Sequence, residues 1–184
     1  AAEVAQHAIE VAERTFGPDH PRVAVSQNNL ATLYRLEGRY AEAESLYKRA
    51  LKIKQSAFGP NHPEVATGLN NLAGVYRAQS EYDKAQPLYE RALAIREQTL
   101  PADHPDLGQS LNNLGLIYKL QGKYVEAESL YQRALAAWEK ALGPNDPNVA
   151  TVLENMAELS KKLGDFEKAA ELDKRARKIR QQSP

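Results

Sequence analysis

The sequence predicts an all-α chain, a right-handed α-solenoid of antiparallel helix pairs with a 42-residue repeat. Three recurrences carry that expectation. Asn-Asn-Leu stands at 28–30, 70–72 and 112–114. His-Pro stands at 20–21, 62–63 and 104–105, and Asp146-Pro147 continues the series. Leu-Tyr-x-Arg-Ala-Leu begins at Leu46, Leu88 and Leu130. A fixed period of this length means stacked supersecondary units, each too small to bury its own apolar face.

The period divides 1–184 as a single array: the second helix of a truncated repeat over 1–19, then units 20–61, 62–103, 104–145 and 146–184. Phe16-Gly17-Pro18 aligns with Phe58-Gly59-Pro60, so the first segment reads as the end of a preceding unit. In unit 20–61 a first helix, helix A, opens at His20-Pro21, because proline at the first helical position sacrifices no hydrogen bond. Asp146 fills the slot of His20, His62 and His104, as a good N-cap should. Val23, Leu30, Ala31, Leu33 and Tyr34 recur at helical spacing, with Gln27 as a polar exception. Gly38 stops the helix as a left-handed C-cap residue. Gly122 and Gly164 repeat this stop, whereas Ser80 departs from it and is expected to be strained.

A second helix, helix B, is predicted from about Ala41 to Phe58, with Ala43, Leu46, Tyr47, Ala50, Leu51 and Ile53 inward. Gly-Pro ends it, and Leu100-Pro101 takes that place in the second unit. Pro87 falls near the start of one helix B, where an interior proline costs about 3 kcal/mol; a loosened or bent first turn is expected there. In the fourth unit Ser160 and Asp173 replace Tyr118 and Tyr131, and a Lys-, Arg- and Gln-rich stretch follows. Solenoids need a polar terminal repeat, so this unit reads as the array's C-terminal cap.

Leu30-Ala31…Tyr34…Gly38…Tyr40…Ala43…Tyr47…Ala50 resembles the tetratricopeptide signature. The longer pattern His-Pro…Asn-Asn-Leu-Ala…Ala-Glu-x-Leu-Tyr-x-Arg-Ala-Leu is similar to the repeats of kinesin light chains and their bacterial relatives. The resemblance implies a concave groove lined by helix A, a protein or peptide partner, and no catalysis. It also implies that Asn29, Asn71 and Asn113 contact ligand peptides, and that a kinesin-light-chain-like adaptor would take a cargo motif.

The residues themselves extend that expectation. Residues three and four apart share a helix face. That face carries Val25, Asn28, Thr32 and Arg35, with Asn29 and Leu36 beside them; then Thr67, Asn70, Gly74 and Arg77, with Asn71; then Gln109, Asn112, Leu116 and Lys119, with Asn113. The fourth unit offers Thr151, Glu154, Glu158 and Lys161. Asparagine has one acceptor and two donors, enough to pair with a peptide backbone whatever its sequence. One Asn of each pair can instead bond to the neighbouring repeat, and the sequence leaves both roles open. Arg35, Arg77, Lys119 and Lys161 form a row of one cation per repeat, suited to spaced carboxylates that Arg grips in bidentate fashion. Glu154 and Glu158 oppose this at the C-terminal end. The expected ligand is therefore an extended, acidic peptide segment. A structural scaffold with no peptide ligand is the alternative, and the half repeat at the N-terminal edge offers a surface for a homodimer.

Other chemistries are disfavoured. Lys+Arg and Asp+Glu both count 24, which speaks against non-specific nucleic-acid or membrane-surface binding. With no cysteine, disulfides, zinc knuckles and thiol nucleophiles cannot form. No apolar run approaches the ~18 residues of a membrane span, and the N-terminal segment has no basic stretch of a signal peptide; a cytoplasmic protein is expected. His20, His62 and His104 stand one repeat apart, too far to share one ion at ~2 Å bonds, so helix capping is expected rather than a metal. No phosphate loop, nucleophile elbow or metal motif occurs, and neither a cofactor nor a catalytic residue is expected. Trp138, the one tryptophan, takes the place of Lys54 and Arg96; it reads either as packing or as an anchor for a partner.

Overall fold

A computed structural model describes residues 1–182. Among these residues the secondary structure is nine helices and no strand: α1 (Ala2–Phe16), α2 (Pro21–Leu36), α3 (Tyr40–Phe58), α4 (Pro63–Ala78), α5 (Tyr82–Thr99), α6 (Pro105–Leu120), α7 (Tyr124–Leu142), α8 (Pro147–Leu163) and α9 (Phe166–Gln182). The chain is all-α and of the α-solenoid class. Its contacts divide it into two units, one ending at Ile95 and the next starting at Arg96.

The helices start where the sequence places them. His20, His62 and His104 sit in extended backbone, and each Nδ1 accepts the backbone N–H two residues on, at 3.2 Å. Asp146 does the same with the Asn148 amide at 2.8 Å. One of the four orphan donors of each helix A is thereby satisfied. Phe16 and Phe58, at the ends of α1 and α3, stack on His20 and His62 with ring centroids 4.9 and 4.8 Å apart.

The stops also follow. Gly59 takes φ +86° and ψ 162°, a region essentially closed to side chains. Ser80 occupies the position of Gly38 and Gly122 with φ +60°, the one non-glycine at positive φ among the described residues. Its Cβ costs about 1–2 kcal/mol there, and the turn holds because the Glu81 amide donates to the Tyr76 carbonyl at 2.9 Å. One expectation fails: α5 runs unbroken from Tyr82 through Pro87, with no loosened first turn. Pro87 is exposed, so its ring displaces no packed neighbour.

In the first unit α1 packs on α2, α2 on α3 and α3 on α4, and α2 also touches α4. Ile9, Ala12, Val23, Ala24, Leu30, Ala50 and Ile53 form a core cluster against which Leu46 and Tyr34 pack. The alanines set how closely the helices approach, because a larger side chain at a fully buried position has nowhere to go. In the second unit α6 packs on α7, α7 on α8 and α8 on α9, and α6 touches α8.

Gln27 is the exception inside the first core. It is 0% exposed, and neither Oε1 nor Nε2 has a hydrogen-bond partner. The matching positions are the buried Leu69, Leu111 and Leu153. Burying an amide without partners costs about 1–3 kcal/mol. Gln27→Leu is therefore expected to raise the unfolding free energy by about that amount. A urea titration checks it, with the midpoint moving up at constant slope.

A second set of buried polar groups joins helix B to helix A. Lys54, 4% exposed, pairs with Glu64 at 2.7 Å. Arg96, buried to the same degree, donates to the Asp106 carbonyl at 2.6 Å and to Ser110 Oγ at 2.9 Å. Burial pulls its pKa down, and Asp106 opposes that. Trp138 at the equivalent place is 2% exposed, and its indole N–H donates to the Pro105 carbonyl at 2.9 Å. It belongs to the core of the second unit, which removes it as a surface anchor.

Candidate functional site

The face of helix A resolves into residues that hold the fold and residues that stand free. In the first unit Asn71 Nδ2 donates to Asn28 Oδ1 at 3.2 Å, joining α4 to α2. In the second, Asn155 Nδ2 donates to Asn112 Oδ1 at 2.9 Å, joining α8 to α6. In both of these rungs the first Asn of one repeat accepts from the second Asn of the next. This ladder is a device for repeat register, since each rung is made 43 residues apart in sequence. Asn70 is buried and donates to the Ala66 carbonyl at 3.2 Å. Asn112 is buried as well. Asn113 accepts from Gln109 Nε2 at 3.1 Å. Asn29 is exposed.

The row of cations divides in the same way. In the second unit Lys119 pairs with Glu158 at 2.5 Å, and Lys161 pairs with Asp173 at 2.6 Å. Glu154 is taken by Arg180 at 3.0 Å. In the first unit Arg35 and Arg77 are half-buried, and neither has a carboxylate within 4.0 Å among the described residues. The nearby acids are already engaged: Glu37 and Glu42 with Arg39, Glu44 with Lys48, and Glu81 with Lys84.

Tyr89, from α5, is the buried group that feels the charge of both arginines. It is 1% exposed. Burial raises the pKa of its phenol, while the charge and hydrogen bond of Arg77 and the charge of Arg35 pull the other way. Burial prevails, so the hydroxyl stays protonated at neutral pH. In the preceding repeat the equivalent Tyr47 hydroxyl is closed over by Thr32 Oγ1 at 2.8 Å. The residue matching Thr32 is Gly74, and a Cβ there would lie 3.8 Å from the Tyr89 hydroxyl with nothing closer. Tyr89 is nevertheless as buried as Tyr47, 1% against 2% exposed.

Sequence reading found the row of cations but not its division, nor Tyr89. Glu158 carried a usable signal, being an acid in the repeat position of Thr32, Gly74 and Leu116. Asp173 replaces a core tyrosine, and that replacement marks the partner of Lys161. Tyr89 gave no signal apart from its siblings, because every complete repeat but the last buries a tyrosine there. Among the described residues no group of histidine and acidic side chains is placed to hold a metal ion, and no helix is long and apolar enough to cross a membrane.

The tetratricopeptide-repeat profile matches residues 1–56, 23–98, 64–132 and 106–182, which together span almost all of the sequence. The chain belongs to the tetratricopeptide-repeat family. Solved structures similar to this chain include BtubC (BKLC) from P. vanneervenii, at 28% identity and a TM-score of 0.86, covering 100% of this chain and 73% of that one. A kinesin light chain-like protein of nearly identical TPR-like repeats from Podosopora anserina aligns at 26% identity and a TM-score of 0.76, covering 97% and 85%. A variant of that protein aligns at 26% identity and a TM-score of 0.79, covering 99% and 87%. No curated protein matches the sequence. The fold is that of kinesin light chain-like tetratricopeptide arrays, a family of protein-interaction modules.

Proposed function

We propose that the chain is a non-catalytic, cytoplasmic adaptor that binds an extended acidic segment of a partner protein on the helix A face of its first unit. Arg35 and Arg77 grip the acids, and Asn29 and the remaining valences of Asn28 and Asn71 meet the peptide backbone. The observation that carries this reading is the pair of arginines without carboxylates. A half-buried guanidinium loses hydration, and a bidentate carboxylate restores both charge and hydrogen bonds. The corresponding groups of the second unit, Lys119, Asn112 and Asn113, are engaged by Glu158, Asn155 and Gln109, so binding concentrates in the first. Likeness to kinesin light chain-like repeats supports a partner protein rather than a small molecule.

Selection from a random peptide library tests the proposal. The whole chain is expected to enrich acidic peptides whose binding weakens with salt. Arg35→Glu/Arg77→Glu is expected to lose that enrichment, whereas Lys119→Glu keeps it, because Glu158 already neutralises Lys119. Equal enrichment on the wild type and the double variant would move the site away from these arginines. No enrichment on folded protein would leave a scaffold that spaces other domains.

A further inference from the structure

Where a helix B carries a following helix A, the covered face can be read position by position. On α3, Glu44 accepts from the Tyr76 hydroxyl of α4 at 2.8 Å, and a Cβ on Gly68 of α4 would stand 3.0 Å from Leu51 Cδ1. Three periods on, Ala170 stands for Glu44 and Arg177 for Leu51. Lys174 lies between them, one turn from each. Leu51 and Leu93 are buried, whereas Arg177 is exposed. A leucine that seals a joint between helices has become a surface cation on α9. Phe166 stands where Tyr40, Tyr82 and Tyr124 are half-buried, and it is 71% exposed. The ring has lost its hydroxyl where water reaches it most, which solvation alone does not favour. A groove of about 770 Å³ on this face is lined by Phe166 and Ala170 and by Lys174, Arg177 and Lys178.

The charges on the face are unbalanced. Lys174, Arg177 and Lys178 have no acid within 4.0 Å among the described residues. Asp173 is held by Lys161 at 2.6 Å, and Arg175 and Arg180 are held by Glu139 and Glu154. Glu171 is left as one acid against three cations. The chain's own joints show what meets a cation on helix B: Lys54 takes Glu64 from the first turn of α4, and Arg96 takes Asp106 from the first turn of α6. We infer that the open face of α9 is a second docking surface, which receives an acidic amphipathic helix of a partner protein laid as α4 lies on α3. The apolar stripe of that helix covers Phe166 and Ala170, and its acids meet Lys174, Arg177 and Lys178. The inference is independent of the acidic segment on the first unit.

Three sets of helix-forming peptides test this, each with a leucine stripe at helical spacing and with glutamate, glutamine or lysine at the polar positions. They are offered to the whole chain carrying Arg35→Glu/Arg77→Glu, so that the first unit takes no acidic segment. The glutamate set is expected to be retained about tenfold better than the glutamine set at low salt, since three exposed ion pairs each add modestly. Adding Lys174→Gln/Arg177→Gln/Lys178→Gln is expected to remove that preference with helicity unchanged, because all three side chains are exposed. Phe166→Ser is expected to weaken the glutamate and glutamine sets alike. Equal retention of those two sets on the parent protein overturns the inference. A full preference in the triple-glutamine variant places the site elsewhere and overturns it too. So does undiminished retention of glutamate peptides broken by a central proline, which bind as extended chains. Capture of phosphatidylserine vesicles by this face, with no peptide set retained, makes it a membrane contact and overturns the helix partner.

Discussion

Trp138→Ala is expected to lower the unfolding free energy of the second unit by about 3–5 kcal/mol, the range for truncating a buried aromatic to alanine. The indole is 2% exposed and its N–H is bonded to the Pro105 carbonyl. Its socket is specific. Gly108 faces the ring, and a Cβ there would stand 2.7 Å from Cδ1 and Nε1. The other repeats carry alanine at this place, Ala24, Ala66 and Ala150, opposite Lys54, Arg96 and Arg180 in sequence phase. Glycine and tryptophan therefore go together. Gly108→Ala should favour the helix by about 1 kcal/mol on propensity, yet overpacking against a rigid ring costs about 1–3 kcal/mol, so a net loss is expected. Combining Gly108→Ala with Trp138→Lys recreates the residue pair of the first complete repeat. It should lose clearly less than the sum of the single variants, a coupling read from urea denaturation of all four proteins. A net gain from Gly108→Ala alone would show that the ring yields.

Pro87→Ser is expected to stabilise the chain by about 2–3 kcal/mol, the difference between proline and serine inside a helix. Pro87 is the sixth residue of α5, past the turn whose amides have no intrahelical partner. Its missing N–H and its ring both act against the Asp83 carbonyl one turn earlier. The same place holds Ser45 in α3 and Ser129 in α7. Because Pro87 is exposed, the substitution removes no core contact. Thermal unfolding should shift upward. An unchanged midpoint would mean that α5 has already relaxed around the ring.

The division of labour on helix A shows where sequence reading stopped. Asn28, Asn70 and Asn112 repeat with the period, as do Asn29, Asn71 and Asn113, whether as ligand contacts or as structural rungs, and periodicity is blind to the difference. Distance decides it, because rungs 2.9 and 3.2 Å long consume one valence of each pair. Arg35, Arg77 and Lys119 likewise look equivalent in sequence. What separates them is an acid 39 residues beyond Lys119, Glu158, brought alongside by the packing of α8 on α6.

The sequence by itself determined the helices, their order and their ends. Those depend on local chemistry: a histidine or aspartate cap before proline, an apolar stripe at helical spacing, a residue tolerant of positive φ. It also determined that helices must stack, because no single pair buries its own face. Tertiary structure alone decided which polar side chains are satisfied within the protein and which are not. It paired Lys119 with Glu158, left Arg35 and Arg77 without a carboxylate among the described residues, and placed Trp138 against Gly108. Satisfaction of charges and hydrogen bonds is a matter of a few tenths of an ångström between residues distant in the chain, and a repeat pattern fixes neighbours without fixing such distances.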